Sequence, residues 1–226
     1  MTPSHLSAAF RENVRSLIPA RRIIAIVRGV FGADALKLAR ALHAGGVSLL
    51  EVTFDQSSEE KRAETVETIR LLTETLGGEM CFGAGTVTSV EMVREAREAG
   101  AQFIISPNTD AAVIRETRAL GMVSIPGAFT PTEIFEAARA GGDFVKVFPA
   151  DAVGPAYFKS IMTPLNHVRL LAVGGVNAAN VRAFLDAGAV GAGVSGALTK
   201  KEWVAAGAWD KVTEAAKSLL ITALSD

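Results

Sequence analysis

Short apolar runs alternate with longer amphipathic stretches along almost the whole chain. The runs are rich in Val, Ile and Leu, and the stretches between them carry Ala, Glu and Arg at helical spacing and end in glycine. Uninterrupted apolar runs are typical of parallel strands covered on both faces. Glycine tolerates the left-handed conformation that often follows a helix. The pattern therefore predicts a series of strand–helix units.

Eight such units can be counted, which predicts a (β/α)₈ TIM barrel. The runs are RIIAIVR (22–28), SLLEVTF (48–54), MCFGAGT (80–86), QFIIS (102–106), MVSIP (122–126), DFVKVF (143–148), VRLLAV (168–173) and VGAGV (190–194). We expect one domain over residues 1–226, with the barrel at about 22–222 and a C-terminal helix that carries Trp203 and Trp209. A doubly wound open sheet is the alternative, but the first turn lacks G-x-G-x-x-G.

An additional N-terminal helix is predicted at about residues 3–19. Its apolar side chains stand at helical spacing and are Leu6, Phe10, Val14 and Leu17. The segment has no apolar signal-peptide core, and the chain has no apolar run long enough for a membrane span.

Composition narrows the functional classes further. Of the 226 residues, 49% are hydrophobic, and the formal charge is −1. We therefore expect neither a nucleic-acid nor a membrane partner. A single cysteine excludes a disulfide framework within the chain and favours the cytoplasm.

Two charged residues lie inside apolar strands. Lys146 stands in FVKVF, and Glu51 stands in LLEVT. Burial lowers the pKa of a lysine, and a neutral amine can attack a ketone to form a Schiff base. Burial can also raise the pKa of a carboxyl into the range of a general acid or base. The alternative is a structural Glu51–Lys146 ion pair.

Several residues at strand ends qualify as substrate ligands, because the site of such barrels lies at the carboxyl ends of the strands. Arg28 could bind a carboxylate or phosphate, or it could simply be solvated. Thr86 could hold a substrate carboxylate, or it could serve a turn. The glycine-bearing turns after the seventh and eighth runs could hold a phosphate with backbone N–H groups; they are Gly174-Gly175 and Ser195-Gly196.

Metal and nucleophile sites are not indicated. His5, His43 and His167 are scattered without ligand spacing, and Cys81 is interpreted as a small core residue. We therefore predict no metal and no cofactor.

Taken together, the segments resemble the 2-keto-3-deoxy-6-phosphogluconate (KDPG) / 4-hydroxy-2-oxoglutarate (KHG) aldolase family. The similar segments are IIAIVRGV, LLEVTF, GAGTV, ISPNTD, IPGAFTPTE, FVKVFPAD, VGPAYFK and VGGVN. The resemblance implies a class I lyase on a (β/α)₈ barrel that needs no metal, and a homotrimer.

The resemblance also implies roles for individual residues. Lys146 would form the Schiff base, and Glu51 would move protons through a bound water. The remaining implied ligands are Arg28 and Thr86 for the carboxylate, Pro126 and Phe148 for the pocket wall, and Gly174, Gly175, Ser195 and Gly196 for the phosphate.

Three positions depart from the usual family pattern. Asp55 stands where some members have an arginine, so the carboxylate clamp depends on Arg28. The last turn reads Ser195-Gly196 instead of Gly-Ser. Val173 precedes the Gly-Gly pair, as in galactonate-type relatives, so 2-keto-3-deoxy-6-phosphogalactonate is an alternative substrate. A phosphosugar isomerase or epimerase and a non-catalytic metabolite-binding barrel remain alternatives of other classes.

Overall fold

The computed structural model describes the backbone of residues 3–225 and the side chains of residues 11–225, and it shows a parallel β-barrel surrounded by helices. Nine strands form one sheet in the order β5-β4-β3-β2-β1-β9-β8-β7-β6, and all their pairings are parallel among the described residues. The strands are β1 (Ile23–Val27), β2 (Leu49–Thr53), β3 (Cys81–Gly85), β4 (Phe103–Ile105), β5 (Val123–Ile125), β6 (Gly127–Ala128), β7 (Val145–Val147), β8 (Leu170–Val173) and β9 (Gly191–Val194).

The sheet closes through one strand that is interrupted at Pro126. The first half of this strand, β5, pairs with β4, and the second half, β6, pairs with β7. The Lys146 N–H donates to the Pro126 carbonyl, and the Asp143 N–H donates to the Ser124 carbonyl. Proline has no N–H to donate, which explains the break. The nine strands therefore occupy eight barrel positions, and the predicted (β/α)₈ barrel is confirmed.

Ten α-helices are found in the described chain, most of them between consecutive strands. They are α1 (Pro3–Arg21), α2 (Gly32–Ala44), α3 (Glu59–Leu76), α4 (Val90–Glu98), α5 (Ala111–Ala119), α6 (Pro131–Arg139), α7 (Gly154–Met162), α8 (Val181–Asp186), α9 (Lys201–Ala205) and α10 (Trp209–Leu224). Several end before a glycine with positive φ, such as Gly100 at 96° and Gly141 at 109°. These glycines take the left-handed position that ends the helix.

One helix prediction was wrong in detail. The C-terminal helix is interrupted, and Gly207, at φ 61°, lies between α9 and α10. Helix α8 begins only at Val181, after a turn that is held by the Asn177 and Asn180 side chains.

The barrel interior and the layer between strands and helices form separate apolar clusters. The interior cluster includes Ile24, Leu49, Phe103 and Phe144. The predicted additional helix is confirmed as α1, which contributes Val14 and Ile18 to this interior cluster. The side chains of Leu6 and Phe10, predicted for its apolar face, lie outside the described residues. None of the described helices combines the length and apolarity that a membrane crossing requires.

Candidate active site

A cavity of about 730 Å³ opens where the strands end at their carboxyl termini. Side chains and turns from β1, β2, β3, β7, β8 and β9 converge on it. The lining residues are Ile26, Arg28, Glu51, Thr86, Pro107, Lys146, Phe148, Val173, Gly174, Gly175, Val176, Asn177, Gly193, Ser195, Gly196 and Ala197. Nine of the ten sequence-predicted site residues thus line one cavity, as expected from the shared direction of parallel strands.

Lys146 stands in the middle of β7 and is 7% exposed. Its Nζ lies 4.6 Å from the centroid of the Phe148 ring, two residues further along the chain. Burial lowers the pKa of Lys146, the nearby Glu51 charge partly offsets this effect, and the Arg28 charge lowers it further. The environment therefore favours the neutral, nucleophilic amine.

Glu51 stands in β2 and is 1% exposed. Burial raises the pKa of its carboxyl to about 7, although the positive charges of Lys146 and Arg28 act in the opposite direction. Its Oε2 atom is buried and makes no hydrogen bond to any described residue. None of the ion pairs found among the described residues includes Lys146. The Glu51 carboxyl is thus not held in a direct ion pair with Lys146, and its raised pKa lies in the range that a general acid or base requires.

The neighbouring strand makes room for the Glu51 side chain. Gly85, at the end of β3, would place a Cβ atom only 1.5 Å from Glu51 Oε1 if it were replaced by a larger residue. The glycine is therefore required for the observed position of the carboxyl. The sequence shows a glycine here, but the contact becomes visible only once β2 and β3 pair.

Arg28 and Thr86 lie together at the cavity rim. The Arg28 guanidinium donates to the Thr86 hydroxyl at 3.5 Å, and the Gln56 side-chain amide donates to the Thr86 carbonyl at 3.0 Å. Thr86 has a positive φ of 58°, which is uncommon for a residue other than glycine. The guanidinium is exposed and is free to form a bidentate contact with an anion.

The turns after β8 and β9 form another part of the cavity wall. Gly174 and Gly175 have φ values of 101° and 67°, so only glycine fits this turn comfortably. The Gly175 carbonyl accepts hydrogen bonds from the side-chain amides of Asn177 and Asn180 at 3.1 and 3.0 Å. Four backbone N–H groups on this wall donate no hydrogen bond to any described residue; they belong to Gly175, Val176, Gly196 and Ala197.

Pro126 is the predicted site residue that does not line the cavity. It is buried at the break between β5 and β6, where its carbonyl accepts the Lys146 N–H at 2.9 Å. Pro107, which follows β4, is part of the wall and was not predicted. The sequence offered no polar signal there. Its position in the loop after a barrel strand could have identified it.

Among residues 11–225, no group of three or more His, Cys, Asp and Glu side chains is arranged to hold a metal ion. His43 lies in α2, and its Nδ1 is 3.3 Å from a Glu79 oxygen. Cys81 is buried at the start of β3, and burial raises the pKa of its thiol to about 12.

The fold and the cavity together define a barrel enzyme with a buried lysine and a carboxyl in one pocket. The model of the KDPG and KHG aldolase family matches residues 14–215, and the chain belongs to this family. It is therefore a carbon–carbon lyase.

Individual relatives agree with this assignment. The chain is 34% identical over 177 residues to 2-dehydro-3-deoxy-6-phosphogalactonate aldolase of Escherichia coli K12, covering 78% of this chain and 83% of the relative. It is 33% identical over 200 residues to 2-dehydro-3-deoxy-phosphogluconate aldolase of Treponema pallidum, covering 88% and 92%. The KDPG aldolase of Legionella pneumophila, solved with pyruvate captured as a covalent carbinolamine, is 27% identical with a TM-score of 0.81, and the alignment covers 91% of this chain and 97% of that one.

Proposed function

We propose that the chain cleaves KDPG to pyruvate and glyceraldehyde 3-phosphate, and KHG to pyruvate and glyoxylate. One observation carries this proposal. A buried lysine with a lowered pKa and a buried carboxyl with a pKa of about 7 face one cavity.

The chemistry begins with attack of the neutral Lys146 amine on the C2 ketone. The resulting carbinolamine loses water to give an iminium. The C3–C4 bond then breaks, and its electron pair moves into the iminium to form an enamine. Glu51 accepts the C4 hydroxyl proton through a water molecule, so the aldehyde departs. Protonation of the enamine at C3 and hydrolysis of the iminium release pyruvate and restore Lys146.

The two ends of the substrate are assigned to different parts of the cavity wall. We propose that Arg28 and Thr86 hold the carboxylate, that Phe148 bounds the pocket beside the amine, and that Pro126 shapes the site indirectly by fixing the Lys146 backbone.

The phosphate is assigned to the turns at Gly174-Gly175 and Ser195-Gly196. Their unused N–H groups support this assignment. A second cavity of about 860 Å³ shares Arg28, Ser195 and Gly196 with the first and adds the positive charges of Lys200 and Lys201.

The C4 epimer, 2-keto-3-deoxy-6-phosphogalactonate, is the second candidate substrate. The supporting observation is Val173, which lines the cavity immediately before Gly174 and offers no hydroxyl to a substrate hydroxyl group. The Escherichia coli relative named for the galactonate substrate is also among the most similar proteins. The ratio of kcat/KM for the two epimers decides between them.

The direct test of the lyase assignment is pyruvate release from KDPG by Lys146→Met. Methionine keeps the length of the side chain without the amine, so the variant should fold and lose cleavage. Lys159→Met, at an exposed position in α7, is the matched control and should retain wild-type activity. Cleavage by the folded Lys146→Met variant would contradict the Schiff-base role of Lys146, and the absence of pyruvate release from wild-type protein would favour an isomerase or a binding protein.

A further inference from the structure

At the opposite end of the barrel lies another charged cavity, here called the base cavity. It has a volume of about 320 Å³, and its lining includes Arg11, Arg15, Arg118, Asp143, His167 and Arg169. Asp143 and Phe144 precede β7, and the segment from His167 to Arg169 precedes β8. The cavity is therefore at the amino-terminal ends of these strands, away from Lys146.

One carboxylate in the base cavity already has all the partners it needs. Asp143 is 8% exposed, and its Oδ1 accepts a hydrogen bond from Arg11 and lies 3.5 Å from Arg15 Nε. Its Oδ2 accepts the Ser124 N–H at 3.0 Å. The need to neutralise the buried Asp143 carboxylate therefore explains the presence of Arg11 and Arg15. It does not explain Arg118 and Arg169.

The remaining cations have no carboxylate partner among the described residues. Arg118 donates to the neutral Gly141 carbonyl at 2.7 Å, and the Arg169 guanidinium lies 5.7 Å from the centre of the Phe144 ring. His167 also faces the cavity. The exposed Glu12 carboxylate accepts a hydrogen bond from Arg15 at 3.1 Å. It does not pair with Arg118 or Arg169.

Two N–H groups inside the cluster form no hydrogen bond. The Nε atoms of Arg11 and Arg15 are buried and make none with any of residues 11–225, although Arg15 Nε lies 3.5 Å from the Asp143 carboxylate. Four guanidinium groups against one lining carboxylate give the base cavity a clear excess of positive charge and of donors. Planar guanidinium groups match the oxygens of phosphate in a bidentate manner.

We propose that the base cavity is a binding site for a small phosphate-bearing anion, such as an organic phosphate monoester or a diphosphate. Its volume is at the lower end of the range that small-molecule pockets occupy, about 300–1,000 Å³. The site is separate from the catalytic cavity and does not depend on the proposed cleavage reaction. Arg118 and Arg169 would supply guanidinium donors that no carboxylate of the described residues pairs with.

The test is a calorimetric titration of inorganic pyrophosphate into the full chain at constant ionic strength and without added metal. Wild-type protein should bind saturably. Arg169→Gln and Arg118→Gln should each weaken binding about tenfold or more, because each removes one charge-assisted contact. Arg40→Gln, at an exposed position of α2, is the matched control and should bind as wild type does.

A further variant separates the base cavity from the catalytic one. Gly196→Val obstructs the turn after β9 and should leave pyrophosphate binding at the base cavity unchanged. Retention of KDPG cleavage by Arg169→Gln shows that this variant is folded. The proposal is overturned if wild type shows no saturable binding, if both arginine variants bind as tightly as wild type, or if Gly196→Val alone abolishes the binding.

Discussion

At the scale of single residues, the Glu51 carboxyl controls how activity depends on pH. Its pKa is raised from 4.5 to about 7 by burial. Glu51 must be deprotonated to accept the C4 proton, so we expect kcat/KM to fall about tenfold per pH unit below about pH 7. Lys146 must also be deprotonated to attack the ketone, but burial lowers its pKa and so moves the limit that it sets to lower pH, opposite to the shift at Glu51. The measurement is the pH profile of kcat/KM for wild-type protein.

Arg28→Ala provides the control for this profile. The Arg28 charge lowers the pKa of both Glu51 and Lys146. Its removal should therefore move the acid limb of the profile to higher pH. An acid limb centred near pH 4.5 in wild type would show that the Glu51 pKa is not raised and would contradict this prediction.

Strand alternation explains why the sequence identified most of the site residues. Arg28, Glu51 and Lys146 each stand in or directly after an apolar strand, on the face that points into the barrel. The role of Gly85 could not be predicted in this way. Its contact with Glu51 depends on the pairing of β2 with β3, which no local pattern specifies.

At the scale of elements, a substitution in the turn after β9 and one at the end of β1 should affect the cleavage of KHG and KDPG differently. Arg28→Ala removes a contact to the carboxylate, which is worth roughly 1.5–3 kcal/mol per hydrogen bond to a charged group. It should lower kcat/KM for both KHG and KDPG. Gly196→Val should lower kcat/KM for KDPG and largely spare KHG, which has no phosphate.

Gly196 is the suitable position for this test because a Cβ atom there meets no atom within 4 Å. At Gly175, by contrast, a Cβ atom would lie 2.4 Å from Asp151, and φ is positive. Gly78→Val, at another open and exposed position, is the matched control and should leave both substrates unaffected. An equal loss for KHG and KDPG in folded Gly196→Val would contradict the phosphate assignment.

The elements themselves were predictable except where a strand or helix is interrupted. Periodicity located the strands because each is predominantly apolar. The run predicted for residues 122–126 ended at Pro126, so the short strand β6 beyond this proline was missed. Periodicity also missed the break at Gly207, because Trp203 and Trp209 continue the apolar pattern across it.

At the scale of the whole molecule, the family resemblance leads us to expect a homotrimer. Phe129 and Phe135, in the segment from β6 to α6, are 40% and 45% exposed in the single chain. Large exposed aromatic side chains are enriched at protein interfaces. Light scattering should give a mass of about three times the 23.6 kDa of one chain. A mass equal to that of one chain at micromolar concentration would contradict the trimer.

The base cavity could not be predicted from the sequence pattern. Its arginines come from α1, α5 and the segment before β8, and each of them alone resembles an ordinary solvated residue. Only the closed barrel brings them together around Asp143. The catalytic cavity was easier to predict, because parallel strands deliver their carboxyl ends to one place.

Borohydride reduction in the presence of pyruvate tests the central claim most directly. Pyruvate is the product that the Lys146 iminium would hold before hydrolysis, and borohydride would convert this iminium into a stable secondary amine. We predict one adduct per chain, located on Lys146 by peptide mass spectrometry and absent from Lys146→Met. The absence of an adduct on wild-type protein, or an adduct on a different lysine, would contradict the account.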